Sequence, residues 1–139
     1  MGYRLKVATA ALHAEMEAVL RPLGLNITQY STLEQLAQRP GVAGSDLARG
    51  TFVTRQSMSA VLQSLVSEGL ISRAETATHG RALPVRLTDE GRRRLGDASA
   101  AVRAVEDRML SGLTREDEDR LRGLLDRCVE GLREQGPAQ

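Results

Sequence analysis

The sequence predicts a mainly α-helical chain interrupted by a single two-stranded β-hairpin. Three observations point that way. Over most of the 139 residues, apolar side chains recur at spacings of three and four, the period of an amphipathic helix. In one short stretch the period falls to two, with Leu83, Val85 and Leu87 alternating with Pro84, Arg86 and Thr88, the mark of a half-buried strand. The composition, 41% hydrophobic and 27% charged, is ordinary for a soluble globular domain, and the length suits one domain with a real core.

The first helix is expected from about Tyr3 to Leu20, with Leu5, Ala8, Leu12, Met16, Val19 and Leu23 on its apolar face and Pro22-Leu23-Gly24 ending it. The second opens at Ile27-Thr28, with Thr28 as its cap and Tyr30, Leu33, Leu36 and Ala37 facing inward. It ends at Arg39-Pro40-Gly41, since proline disfavours helix in the residue before it. A short third helix, about Ser45 to Arg49, buries Leu47 and Ala48, with Gly44 able to cap it. Phe52, the one phenylalanine, is read as a core anchor for the turn that follows. A fourth helix starts at Thr54, whose hydroxyl can bond the free N–H groups of the first turn. Met58, Leu62, Leu65 and Val66 form its apolar stripe, and Gly69 stops it.

Strands are expected over 71–77 and 82–88, joined through Thr78-His79-Gly80-Arg81, with Pro84 marking an edge strand. Thr88-Asp89-Glu90 caps a long helix along which Leu95, Ala98, Val102, Val105 and Met109 alternate three and four, like a coiled-coil seam. Ser111-Gly112-Leu113-Thr114 breaks it. Thr114 caps a last helix with a stripe of Leu121, Leu125, Cys128 and Leu132, widened by Leu124 and Val129, and Gly136 to Gln139 should fray.

The chemistry concentrates between Thr54 and Thr88. The fourth helix turns outward a face of Gln56, Ser59, Ala60, Gln63 and Ser67, uncharged but for Arg55 at its start. Solvated helix faces are normally rich in Lys and Glu. Small polar side chains instead let a helix enter a DNA major groove and bond base edges. Arg81 at a hairpin tip is what a narrow, electronegative minor groove attracts.

These residues resemble the MarR family of bacterial winged helix-turn-helix regulators. The resemblance rests on Leu47-Ala48, on Phe52-Val53-Thr54-Arg55-Gln56-Ser57-Met58, on Glu68-Gly69-Leu70-Ile71-Ser72-Arg73, on Gly80-Arg81 and on Leu87-Thr88-Asp89-Glu90-Gly91, in that order and without a gap. It implies a mainly α, winged helix-turn-helix fold with a two-stranded β wing and N- and C-terminal dimerisation helices. Residues 28–90 would form the DNA-binding lobe, and 1–24 with 96–139 the dimerisation helices of a single domain. It implies DNA contacts from Ser45, Thr54, Arg55, Gln56, Ser57, Ser59, Ala60, Gln63, His79 and Arg81, and an effector pocket near His13, Met16 and Tyr30. The implied partners are double-stranded DNA, a second copy of the chain, and a small aromatic or anionic effector that releases DNA. One departure stands out: the family's usual Asp-x-Arg wing is His79-Gly80-Arg81 here. Arg73, which pairs with that acid in relatives, is left with Glu75 as its expected partner.

Charge and cysteine usage narrow the function further. Residues 44–95 hold 8 basic and 5 acidic side chains and residues 96–139 hold 7 and 10, so the basic excess falls on the lobe assigned to DNA. One cysteine and two histidines exclude an internal disulfide and a Cys/His zinc site, and no cofactor is expected. Cys128 is read as a small core residue. No glycine-rich phosphate loop or nucleophile motif points to an enzyme. No apolar run approaches a membrane span or a secretory leader, so the expected location is the cytoplasm. The first and last helices carry wider apolar faces than one small winged helix can cover, so a homodimer in which the first helix and the last two interlock is expected. The competing reading is a helical protein-interaction module that keeps the fold without binding DNA.

Overall fold

In the computed structural model, which describes residues 1–74 and 84–133, the elements run α1 (Gly2–Leu20), α2 (Ile27–Gln38), α3 (Gly44–Gly50), α4 (Arg55–Ser67), β1 (Ile71–Arg73), β2 (Val85–Leu87), α5 (Asp89–Leu110) and α6 (Arg115–Arg133). A 3-10 turn, Arg21–Leu23, follows α1. The chain forms two compact units, Met1–Val105 and Glu106–Gln139, and α5 runs from the first into the second. The expected hairpin tip with His79 and Arg81, the Glu75 partner of Arg73, Leu83, and the frayed end from Gly136 lie outside the described residues.

The first unit is built on leucine. Leu20 at the end of α1, Leu33 and Leu36 of α2, Leu47 of α3, Met58 and Leu65 of α4 and Leu70 before β1 are fully buried in one core. Two buried polar residues tie α2 to α4. The Thr32 hydroxyl donates to the Thr28 carbonyl at 2.7 Å and lies 3.9 Å from the Met58 sulfur. The Gln29 amide donates to the Ser64 hydroxyl at 3.0 Å. The hairpin is antiparallel with Ile71 opposite Leu87, Ser72 opposite Arg86 and Arg73 opposite Val85. Val85 and Leu87 are buried while Arg86 is exposed, the expected alternation.

Helix starts follow local chemistry, with two corrections. Thr54, Thr88 and Thr114 cap α4, α5 and α6 through hydroxyls that accept the Ser57, Gly91 and Asp117 N–H groups. The cap of α2, however, is Asn26 rather than Thr28. Asn26 Oδ1 accepts from the Gln29 N–H at 2.8 Å, and Gln29 Oε1 accepts from the Asn26 N–H at 3.0 Å, a capping box that satisfies two free donors at once. The cap position of α3 is Ala43, without a side-chain bond, and Gly44 is already helical.

Four residues expected inside are outside, and Met109, read as part of a coiled-coil seam, is exposed in the single chain. Val66 is 40% exposed, because eight positions past Met58 carry it about 80° round the helix. Ala37 is exposed on the rim of an open groove. Phe52 is 92% exposed, with a φ of 58° that aims its side chain away from the core. Met109 and Cys128 are exposed, as the described part of the second unit buries no residue and α6 presents Leu121, Leu124, Leu125, Val129 and Leu132 to solvent. In α1, residues 1–11 are likewise exposed, Leu5 and Ala8 of the expected stripe among them.

Candidate nucleic-acid interface

Residues 44–67 form two helices joined by a four-residue turn. At Gly44 an added Cβ would stand 3.5 Å from Leu62, ordinary contact distance, so the packing of α3 on α4 there does not depend on glycine. Leu47 and Ala48 of α3 and Met58, Leu62 and Leu65 of α4 are buried together in the core. The inner face of α4 is thus fixed by packing and by the Gln29–Ser64 bond, and among the described residues its outer face is exposed.

That outer face carries the residues singled out in the sequence. Arg55, Gln56, Ser57, Ser59, Ala60 and Gln63 are all exposed. Gln56, Ser59, Ala60 and Gln63 follow the spacing i, i+3, i+4, i+7, which sets them in one row along the helix. Thr54 is also exposed, but its hydroxyl is engaged at the helix start, accepting the Ser57 N–H at 3.1 Å and donating to the Ser57 hydroxyl at 3.0 Å. Ser45 is half-buried in α3. Asp46 and Arg49 pair with each other on that helix.

Sequence reasoning misses one member of this surface. Arg73, for which the sequence offers Glu75 as a partner, lines a shallow depression of about 310 Å³ together with Ser59, Gln63 and Val66 of α4. The turn-back after Gly69 brings β1 beside the outer face of α4. Two exposed residues in succession after Ile71 accompany that arrangement.

The three residues expected to line an effector pocket differ in character. His13 is exposed and Met16 half-buried. Tyr30 is buried, its hydroxyl donating to Glu34 Oε1 at 2.8 Å. A larger groove of about 510 Å³ opens elsewhere in the first unit, between the end of α2, β2 and the start of α5. Leu36, Pro40, Leu87 and Leu95 give it apolar walls, and Arg86 and Arg92 give it positive charge. That combination suits a small apolar anion. Among the described residues no group of three or more His, Cys, Asp or Glu side chains could hold a metal ion.

A three-helix lobe with a paired hairpin behind its second short helix defines the winged helix-turn-helix class. Comparison with known proteins makes this specific. The family model described as MarR family matches residues 23–82. The HTH-type transcriptional repressor Rv2887 of Mycobacterium tuberculosis is 37% identical over 127 residues, covering 91% of each chain. The chain therefore belongs to the MarR family. Solved structures agree. Rv2887 in complex with salicylic acid superposes with a TM-score of 0.75 at 37% identity, covering 92% of this chain and 95% of that one. Rv2887 in complex with DNA gives 0.77 at 35%, covering 92% and 96%. The transcriptional repressor CouR bound to a 23-mer DNA duplex gives 0.85 at 29%, covering 93% and 92%.

Proposed function

We propose that this protein is a sequence-specific double-stranded-DNA-binding transcriptional repressor that works as a homodimer and is released from a palindromic operator by a small aromatic or anionic effector. The observation that carries the reading is the row Gln56, Ser59, Ala60 and Gln63, exposed along a helix whose opposite face is locked into the core. Glutamines at both ends of the row can bond adenine edges, serine can serve any base, and alanine allows close approach or meets a thymine methyl. Arg55 and Arg73 flank the row and supply phosphate contacts. Arg81 and His79 act from the wing, in the minor groove. Ser45, Thr54 and Ser57 sit at the entry to the groove and hold the phosphate backbone.

The dimer is supported by the apolar residues left in water by the single chain: Leu5 and Val7 on α1, and the leucines and valine of α6. Covering them with a second copy removes a cost of about 25 cal/mol per Å². Residues 1–24 and 96–139 serve that role, and residues 28–90 form the DNA-reading lobe, one of two set about a helical turn apart on DNA. The relatives solved with DNA and with salicylic acid support both the DNA and the effector. The groove beside Arg86 and Arg92 has the size and charge for such an acid; His13, Met16 and Tyr30, the pocket residues that the family resemblance implies, do not line it. Release is a shift in population between lobe spacings and needs no chemical step, so the protein is not an enzyme. It acts in the cytoplasm, where the DNA is, and none of its described helices is long and apolar enough to cross a membrane.

Selection from a random duplex pool tests the reading. The expected result is enrichment of an inverted repeat with half-sites about 10 base pairs apart, centre to centre. Failure to enrich any sequence after repeated rounds overturns it.

A further inference from the structure

Phe52 stands in the turn between α3 and α4 with a φ of 58° and is 92% exposed. The turn closes by two backbone bonds, Val53 N–H to the Ala48 carbonyl at 3.0 Å and Phe52 N–H to the Arg49 carbonyl at 3.3 Å. This is the Schellman arrangement, in which the residue at the Phe52 position must be left-handed, and glycine is the residue that takes it without strain.

The chain makes the same turn elsewhere and there follows the rule. After α4, Leu70 N–H bonds the Leu65 carbonyl and Gly69 N–H the Val66 carbonyl; after the 3-10 turn, Leu25 bonds Leu20 and Gly24 bonds Arg21. Gly69 and Gly24 have φ of 71° and 73°. At the equivalent position between α3 and α4 the chain places a large aromatic residue instead. A Cβ in this conformation is unfavourable, and none of the described residues compensates, since the ring is 92% exposed. Strain kept by a side chain that the fold does not use points to a function outside the fold. The position is two residues ahead of Thr54, at the leading end of the helix that carries the base-reading row.

We propose that Phe52 is a DNA-contacting residue, laying its ring on apolar surface of the duplex, a thymine methyl or a deoxyribose, at the edge of the major groove. The inference rests on the DNA-binding reading above. The ring would then add shape-dependent affinity that no hydrogen-bonding residue of α4 supplies. Its exposure in the free protein and its strained backbone are the stability given up for that contact.

The test pairs two measurements on Phe52→Gly in the full-length protein. Thermal unfolding at fixed concentration should rise by about 2–4 °C, from relief of the left-handed Cβ. Affinity for the duplex enriched by wild type should fall about tenfold, as expected for losing roughly 55 Å² of apolar contact. Replacing the duplex thymines by deoxyuridine separates the two surfaces. If the ring sits on a methyl, the ratio of wild-type to variant affinity collapses toward one; if it sits on deoxyribose, the ratio persists. Unchanged affinity in the variant overturns the proposal while leaving the DNA-binding reading intact. A lowered melting temperature, or an altered oligomeric state by sedimentation, also overturns it, because the ring would then be serving the fold or a second copy of the chain. Should wild type fail to distinguish the enriched duplex from a scrambled one, the DNA-binding reading falls and the proposal with it.

Discussion

Gly91→Ala sets two physical effects of opposite sign against each other. By helix propensity alone, alanine in place of glycine near the start of α5 should stabilise the protein by about 1 kcal/mol. The packing says otherwise. A Cβ on Gly91 would stand 2.0 Å from the Leu70 carbonyl oxygen and 3.0 Å from the carbonyl carbon, where contact requires about 3.3 Å. The obstacle is backbone, so α5 itself must retreat by about 1.3 Å to restore that contact. Two bonds tie the start of α5 to that backbone and resist the retreat: Thr88 N–H to Leu70 O at 3.1 Å and the Thr88 hydroxyl to Gly69 O at 2.6 Å. Overpacking at the middle of its usual range costs about 2 kcal/mol and each of the two weakened bonds up to about 1 kcal/mol, so after the propensity gain of about 1 kcal/mol the net loss should be about 1–3 kcal/mol. Gly96→Ala is the internal control. It lies on the same helix, and a Cβ added there would meet nothing within 4 Å, so it should gain about 1 kcal/mol. Urea unfolding of both variants at one protein concentration decides the matter. A Gly91→Ala protein as stable as wild type, or more so, would refute the packing argument.

Two further outcomes follow from the helix caps. Asn26→Ala should cost about 1 kcal/mol by urea unfolding while Thr28→Ala costs clearly less, because Asn26 makes the reciprocal bonds with Gln29. Acid titration tests the charged caps. Asp117 is held below the usual carboxylate range by the Thr114 hydroxyl and then its N–H, and Glu90 chiefly by its hydrogen bond to Arg93. A depressed carboxylate stabilises the fold above its unfolded-state value and ceases to do so as pH falls through its folded value. The melting-temperature difference between wild type and Asp117→Asn should therefore be constant at neutral pH and vanish in acid; a difference that grows in acid would contradict the sign.

What is legible in the sequence is what short-range chemistry decides. Thr54, Thr88 and Thr114 read as caps, and Gly69 as a stop, because each acts on a neighbour within a few residues. Asn26 escapes notice because Thr28 is also a good cap, and only the reciprocal bond with Gln29 separates them. A lone phenylalanine reads as core, yet the backbone conformation of Phe52, imposed by closure of the turn between α3 and α4, sends it out. Val66 and Ala37 depart from expectation at the margins of their stripes, where a small rotation or an open groove decides burial. Met109 and Cys128 lie on faces that the described residues of the chain leave uncovered. In the candidate site, the row on α4 is readable from its missing charges. Arg73 is not, since its place beside Ser59 and Gln63 depends on how the strand turns back on the helix.

The central claim is that the row on α4 reads base edges. Fluorescence anisotropy with the enriched duplex, comparing wild type with Gln56→Ala/Gln63→Ala across a salt series, tests it most directly. The predicted result is a loss of about 100-fold at each salt concentration, with the salt slope, melting temperature and oligomeric state unchanged, because glutamines that contact bases release no counterions. Wild-type affinity in the double variant, or an equal loss on a scrambled duplex, would contradict the account.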